Sequence, residues 1–319
     1  LEEDGPASMR VLRHLLLGLL ACTALAFAER LQPRAVESWD APVPFHCDEK
    51  AFSLAAALVQ NTYCSRIRIG EHVGDAKLLW RAGDGNWLQK ALVYHSPSLG
   101  VALALEGTNG SSLWSTARDL EYPLVDPDRR YKHAVPHGAK VFYGFQAAYI
   151  DLADRVKAHV EKALKQYNET RVTVIGHSLG AAMGLIAACH LEATLKHGVH
   201  RVLLFGLPRT GNPQFASYVD QTFGDRFHFI VNGRDWVPHI PDRIFGYQHP
   251  SNLVWINPAN STNYTLYQGQ ENVHGINKVP IWKWNGHDHT GIYFQTLIGG
   301  DQYHPHCPTR VGDTGDNHN

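Results

Sequence analysis

The sequence predicts an α/β fold with a largely parallel central sheet, and three observations lead to this fold class. From residue 171 onward, short apolar runs typical of strands alternate with longer runs typical of helices. The strand-like runs are hydrophobic almost throughout, as expected of central strands that are covered on both faces. The 319-residue chain is 44% hydrophobic, so it can bury a sizeable core.

The elements are assigned in order from their hydrophobic periodicity. Helices are predicted at residues 49–63, 143–167, 179–197 and 212–224, and strands at 90–96, 100–107, 171–175, 201–206, 226–232 and 253–257. The chain contains no linker-like stretch and no internal repeat, which favours one domain. We expect this domain to span residues 45–308.

The two ends of the chain are predicted to lie outside the folded domain. Residues 1–8 read as upstream sequence, and residues 9–28 combine basic residues with an apolar run that closes on Ala26-Phe27-Ala28. This pattern is typical of a cleaved secretory signal peptide, and the run is shorter than the ~20 residues that span a bilayer. We expect residues 29–44 to form a mobile arm or propeptide and residues 309–319 to form a disordered tail.

The charge balance and the histidine pattern exclude several classes of protein. The 29 basic and 30 acidic residues leave no electrostatic footprint for nucleic acid. The histidine-rich pieces "HDH" and "HPHC" lack the spacing of known metal sites, and no phosphate loop or dinucleotide motif is present. We therefore expect a monomer with no metal, no cofactor, no nucleic-acid partner and no transmembrane segment.

The cysteines and sequons are consistent with secretion. Four cysteines follow the signal peptide, and disulfides persist in secreted proteins, although four cysteines leave the pairing open. Cys189 falls in an apolar helix and is expected to be a buried free thiol. The preferred bridge joins Cys47 to Cys307 and ties the two ends of the domain together. The candidate glycosylation sites are Asn109, Asn168, Asn260 and Asn263.

The stretch "RVTVIGHSLGAAM" contains a G-x-S-x-G motif, from Gly176 to Gly180, between a predicted strand and a predicted helix. This context indicates a nucleophile elbow, a sharp turn that raises the serine above the carboxyl edge of the sheet. The alternative is a tight glycine-rich turn with an idle serine. The sequence therefore predicts that Ser178 is a nucleophile.

A serine nucleophile needs a histidine base and an acid that orients the histidine. Asp235 follows the strand 226–232 at its carboxyl end, whereas Asp225 precedes that strand and lies at the wrong edge. The other acids that could take this role are Asp242, Glu271 and Asp301. Among the later histidines, the sequence "WNGHDHTG" offers His287 and His289, and residue chemistry alone does not separate them.

Six blocks of the chain together resemble one family. The blocks "LEGTNGSSLW", "KVFYGFQAAY", "GHSLGAAM", "VNGRDWVPHIP", "GYQHPSNLVWI" and "DHTGIYF" are similar in order and spacing to those of secreted fungal class 3 lipases, especially basidiomycete mono- and diacylglycerol lipases. The resemblance implies an α/β-hydrolase fold with a short helical lid. It assigns Ser178 as nucleophile, Asp235 as acid and His289 as base.

The resemblance also completes the expected active site. The oxyanion hole should combine the backbone N–H of Leu179, the residue after the nucleophile, with that of Thr108, which the resemblance adds. The resemblance places the lid on an amphipathic segment whose apolar residues are Leu113, Trp114, Ala117 and Leu120.

We therefore expect a secreted lipase that hydrolyses acylglycerol esters at a lipid-water interface through a Ser-His-Asp acyl-enzyme. One alternative is a carboxylesterase of soluble esters, such as a feruloyl esterase. The alternative from another class is a non-catalytic lipid-binding protein that keeps the hydrolase fold.

Overall fold

The computed structural model describes residues 42–64, 67–85, 88–108 and 123–299. The predictions for the signal peptide, the lid, Asn109, Cys307 and the tail lie outside these residues. No helix in the described ranges is both long enough and apolar enough to cross a bilayer.

A ten-stranded sheet forms the centre of the described chain. Its strands stand in the order β1-β12-β11-β10-β9-β8-β5-β4-β3-β2. They are β1 (Val43–Pro44), β2 (His72–Val73), β3 (Ala76–Ala82), β4 (Ala91–Ser96), β5 (Gly100–Leu105), β8 (Val172–His177), β9 (Arg201–Phe205), β10 (Phe227–Asn232), β11 (Leu253–Ile256) and β12 (Tyr264–Tyr267). Two short antiparallel pairs lie outside it, namely β6 (Leu124–Val125) with β7 (Val141–Phe142), and β13 (Ile292–Tyr293) with β14 (Thr296–Leu297).

The middle of the sheet is parallel, as the sequence predicts. Strands β5, β8, β9, β10 and β11 pair in parallel, and the strands on either side pair antiparallel. Parallel strands end at one edge of a sheet, so the loops that follow them meet there. This geometry brings together functional residues that are far apart in sequence.

Four α-helices of the described residues cover the sheet. They are α1 (Glu49–Thr62), α2 (Tyr143–Tyr167), α3 (Leu179–Thr194) and α4 (Pro213–Phe223). Helices α2, α3 and α4 pack on one face and α1 packs on the other. Both faces of β8 are buried, since Val174 packs in the core beneath α2, α3 and α4, and the next residue, Ile175, packs in the core beneath α1. The fold is the α/β architecture predicted from the alternation of apolar runs.

Helix α1 also holds the late part of the chain. The Ser53 hydroxyl donates to the Phe294 carbonyl at 2.7 Å, and the Gly299 N–H donates to the Gln60 side chain at 2.8 Å. Asp48 is the N-cap of this helix, and its side chain accepts from the Ala51 N–H at 3.2 Å and so caps the first turn.

The structure differs from the predicted boundaries at the sheet margins. Strand β1 pairs with β12, so residues 43–44 belong to the sheet and not to the arm predicted over 29–44. Strands β3 and β12 were not predicted. Strand β3 carries Lys77 and Arg81 on its exposed side, so it lacks the continuous apolar run by which the central strands were recognised.

The predicted bridge between Cys47 and Cys307 is wrong. Cys47 and Cys189 are free thiols, and Cys64 is disulfide-bonded. Cys47 precedes α1 and Cys64 follows it, and the 14 residues of this helix separate its ends by about 21 Å. Cys64, the disulfide-bonded cysteine, therefore lies at the opposite end of α1 from Cys47, the cysteine of the predicted bridge. Cys189 is a buried free thiol, as predicted.

Candidate active site

Ser178 occupies the sharp turn between β8 and α3. Its backbone has φ 59° and ψ −129°, a conformation that costs about 1–3 kcal/mol for a residue with a side chain. The turn is possible because both flanking glycines lack Cβ atoms. A Cβ on Gly180 would lie 2.5 Å from the Glu106 carbonyl, and one on Gly176 would lie 2.9 Å from the Ala181 nitrogen. The Ser178 N–H is fixed by the Phe205 carbonyl of β9 at 2.9 Å.

His289 and Asp235 form a buried pair on neighbouring loops. His289 Nδ1 lies 2.7 Å from Asp235 Oδ2, and the other carboxylate oxygen accepts from the Val237 N–H at 2.9 Å. Gly206, at φ +57°, leaves room for the histidine, because a Cβ there would lie 2.8 Å from His289 Cε1. The ring is thus held by its Nδ1 edge, and its Nε2 is left to face other groups.

Ser178 Oγ and His289 Nε2 are both buried, and neither has a hydrogen-bond partner among the described residues. A buried polar atom without a partner is costly, so each one requires an explanation, and three others in the described ranges lie on Gln89, His239 and His249. These are the two atoms between which a proton passes when a histidine activates a serine.

The competing residues lie in other environments. His287 is exposed, with its N–H bonded to the Asn285 side chain at 3.1 Å. Asp242 caps a surface turn through the Ile244 N–H, and Glu271 forms an ion pair with Arg209. Asp301 lies outside the described residues.

Of the predicted oxyanion residues, Leu179 follows Ser178 in the chain, and Thr108 follows Gly107, which lies against Ser178. Leu179 is the first residue of α3, where the helix dipole favours negative charge. Thr108 follows Gly107 at the end of β5, and a Cβ on Gly107 would lie 2.8 Å from the Ser178 Cβ. Lys90 anchors this loop, since its ammonium is 2.9 Å from Glu106. The end of β5 therefore abuts the nucleophile.

A hydrogen-bond chain behind the site was missed by the sequence reasoning. The Gly107 N–H donates to the Tyr63 hydroxyl at 3.2 Å, and this hydroxyl lies 2.6 Å from His177 Nδ1. His177 Nε2 lies 3.0 Å from the His289 carbonyl oxygen, and the two rings stack with centroids 4.5 Å apart.

The protonation states fix the direction of this chain. Burial lowers the pKa of His177 well below 6.5, so its ring is neutral, and burial raises the pKa of Tyr63, so its hydroxyl keeps its proton. A carbonyl can only accept, so His177 Nε2 carries the hydrogen and Nδ1 accepts from Tyr63. These hydrogen bonds therefore link the loop of Gly107 and Thr108 to the backbone of His289. Position 177 was visible inside G-x-S-x-G, but Tyr63 carries no sequence signal.

The His289 loop is also fastened to the end of β10. Asn232 Nδ2 donates to the Asp288 carbonyl at 2.9 Å and to Asn260 Oδ1 at 3.0 Å. Asn260 Oδ1 also accepts from the Ile292 N–H at 2.7 Å. The three predicted sequon asparagines among the described residues, Asn168, Asn260 and Asn263, are all exposed. Asn260 has its side-chain oxygen engaged beside the site, and Asn263 Nδ2 donates to the Asn257 carbonyl at 2.7 Å.

Among the residues described, no group of three or more His, Cys, Asp or Glu side chains could hold a metal ion.

Comparison with known proteins identifies the family. Residues 102–245 match the family Lipase (class 3). The secreted mono- and diacylglycerol lipase MDL4 of Malassezia globosa is 53% identical over 284 residues, covering 88% of this chain and 92% of the relative. The chain belongs to the class 3 lipases. This lipase is similarly 51% identical to the secreted mono- and diacylglycerol lipase MDL2 of the same organism, over 92% of this chain and 96% of the relative.

The lipase also resembles solved structures. One is a triacylglycerol lipase whose catalytic centre is described as a serine protease triad, with a TM-score of 0.67, 26% identity and coverage of 81% of this chain and 99% of that one. The fold class and the family expected from the sequence are both confirmed.

Proposed function

We propose that this secreted lipase hydrolyses the ester bonds of mono- and diacylglycerols at a lipid-water interface, with Ser178, His289 and Asp235 as its catalytic triad. One observation carries the proposal. His289 is paired with Asp235 through Nδ1, and its Nε2 is buried without a hydrogen-bond partner, as Ser178 Oγ is on its strained turn. The substrate class is supported by the named activity of relatives about half identical to this chain.

In this mechanism His289 Nε2 removes the proton from Ser178 Oγ as the oxygen attacks the ester carbonyl. Asp235 holds the Nδ1–H tautomer and stabilises the imidazolium that forms. The N–H groups of Leu179 and Thr108 stabilise the oxyanion of the tetrahedral intermediate. The imidazolium then protonates the departing glycerol oxygen, and water, activated by the same histidine, releases the fatty acid from Ser178.

The first experiment separates the two histidines. His289→Ala should lower kcat on a dispersed diacylglycerol by at least ~10³-fold, because the serine loses its base. His287→Ala should keep most of the activity, since that side chain is exposed and outside the pair. If the two results were reversed, the base would be misplaced by two residues.

A second experiment tests the nucleophile and the substrate class. A fluorophosphonate probe should label the wild type and not Ser178→Ala. The initial rate on dioctanoylglycerol should rise abruptly as its concentration passes the solubility limit. A smooth saturation below that limit would contradict interfacial action and favour a soluble-ester hydrolase.

A further inference from the structure

Two tight turns near the site expose pairs of large apolar side chains to water. The first, on the loop that follows Asp235, presents Ile244 and Phe245 with 83% and 54% of their surface exposed. The second, on the segment that leads to His289, presents Ile281 and Trp282 with 66% and 81% exposed. Exposed apolar residues that cluster are a mark of an interaction surface.

The turn at 281–283 is a single 3₁₀ turn. Its ends close through backbone hydrogen bonds from Lys283 N to the Pro280 carbonyl at 2.9 Å and from Trp284 N to the Ile281 carbonyl at 3.2 Å. Trp284 then stacks on His239 with ring centroids 4.5 Å apart. The apolar pair is therefore exposed by a preorganised turn and not by a loose loop.

Further hydrogen bonds connect the segments that carry the two turns to the candidate active site. The Asn285 N–H donates to the Arg234 carbonyl, next to Asp235, at 2.8 Å. Arg209, buried beneath the loops, donates to the His239 and Pro241 carbonyls and pairs with Glu271 at 2.7 Å. The loop that carries Ile244 and the segment that carries Trp282 are thus packed on one another beside the triad.

Each apolar pair is accompanied by an exposed basic residue. Arg243 precedes Ile244, and Lys283 follows Trp282. The acid within the first turn, Asp242, uses one oxygen to cap the Ile244 N–H at 2.9 Å, and Glu271 is neutralised by Arg209. Apolar and aromatic side chains beside cations match a surface that is oily and negatively charged.

We propose that the turns at 243–245 and 281–283 anchor the protein to an acylglycerol surface that carries fatty-acid anions. This rests on the proposed function, because hydrolysis leaves fatty acid at the surface, where its ionised carboxylate supplies the negative charge. The apolar pairs enter the oil boundary, and Arg243 and Lys283 contact the carboxylates. Adsorption therefore strengthens as product accumulates.

The test measures binding apart from chemistry. Flotation with phosphatidylcholine vesicles, with and without oleate, gives the dissociation constant for the wild type, the double variant Ile281→Ser/Trp282→Ser and the double variant Arg243→Gln/Lys283→Gln. Ile69→Ser is the matched control, because Ile69 is 62% exposed but lies ahead of β2 on the antiparallel flank. The rate on dissolved p-nitrophenyl butyrate is measured in parallel.

The apolar double variant should bind oleate vesicles at least ~10-fold more weakly, with an unchanged rate on the dissolved ester. The charge variant should lose about 10-fold of its preference for oleate over neutral vesicles. Ile69→Ser should behave like the wild type. Wild-type affinity in the apolar variant, or equal weakening in Ile69→Ser, would overturn the proposal. So would a shift from dimer to monomer in sedimentation with vesicle binding unchanged, since the surface would then join two copies.

A variant that fails to fold is recognised by a lowered rate on the dissolved ester, and Ile244→Ser/Phe245→Ser then supplies the same binding test on the other turn. The failure of the proposed function gives a different signature. A wild type that binds oleate vesicles but hydrolyses no ester would refute the activity and leave the anchor supported.

Discussion

Tyr63→Phe should slow catalysis although Tyr63 does not touch the reacting atoms. The substitution deletes the hydroxyl between the Gly107 N–H and His177 Nδ1 and leaves both groups buried and unpaired. Each unpaired group costs about 1–3 kcal/mol, so the free energy of unfolding should fall by about 2–6 kcal/mol. The oxyanion donors shift without being deleted, so kcat should fall by about 10- to 100-fold, less than for a lost donor.

The measurement compares Tyr63→Phe with a matched variant. Tyr149→Phe breaks the same kind of bond, 2.8 Å from Tyr149 Oη to His190 Nδ1, within the packing of α2 on α3. Thermal unfolding should show that both variants are destabilised, while the burst-phase rate on p-nitrophenyl butyrate should fall only in Tyr63→Phe. If the acylation rate of Tyr63→Phe equals that of Tyr149→Phe, the hydrogen bonds of Tyr63 contribute to stability alone, and a role for them in catalysis is refuted.

Three further predictions concern stability. Below pH ~6.5 the free energy of unfolding should fall, since burial lowers the pKa of several histidines to about 4 and only the unfolded chain takes up their protons. Urea unfolding from pH 7 to pH ~4 should show a loss of about 3 kcal/mol per histidine at the lower limit. These histidines are His228, His239 and His249. Arg209→Met should cost about 3–5 kcal/mol in thermal unfolding, because Glu271 is left buried and unpaired, and Arg209→Met/Glu271→Leu should recover most of it. Cys64→Ser should lower the free energy of unfolding by about 2–5 kcal/mol, because it removes a disulfide, whereas Cys47→Ser should change it very little. Burial raises the pKa of the Cys47 thiol to about 11, so this thiol should not react with iodoacetamide at pH 8.

Much of the site could be predicted because its parts have local signatures. The elbow at Ser178 is a strand, two glycines and a helix in direct succession. Asp235 follows a strand whose apolar run is unmistakable, and the carboxyl edge of a parallel sheet is a general location for function. Both predictions needed only the chain within ten residues of the side chain concerned.

The remaining features depend on contacts that the sequence does not record. His289 differs from His287 because the intervening Asp288 binds the Arg234 N–H at 2.7 Å and the Asn285 side chain at 2.6 Å, which turns the loop inward at residue 289. Tyr63 lies 114 residues from His177, and no local pattern joins them. The cysteine pairing was wrong for a related reason, since nearness to the chain ends says nothing about which end of α1 a cysteine occupies.

The pairing of β1 with β12, and the bonds from α1 to Phe294 and Gly299, also determine when the enzyme can become active during synthesis. Strand β1, Ser53 and Gln60 are made early, and their partners here lie at 264–299, in the late part of the chain. The base, His289, is itself among those late residues. A chain still emerging from the ribosome therefore has its nucleophile but neither the base nor the contacts that close the sheet, because long-range pairing waits for both partners. The topology keeps a lipid-cleaving enzyme inert until residue 289 and the segment after it have been made, a useful property for an enzyme that acts outside the cell.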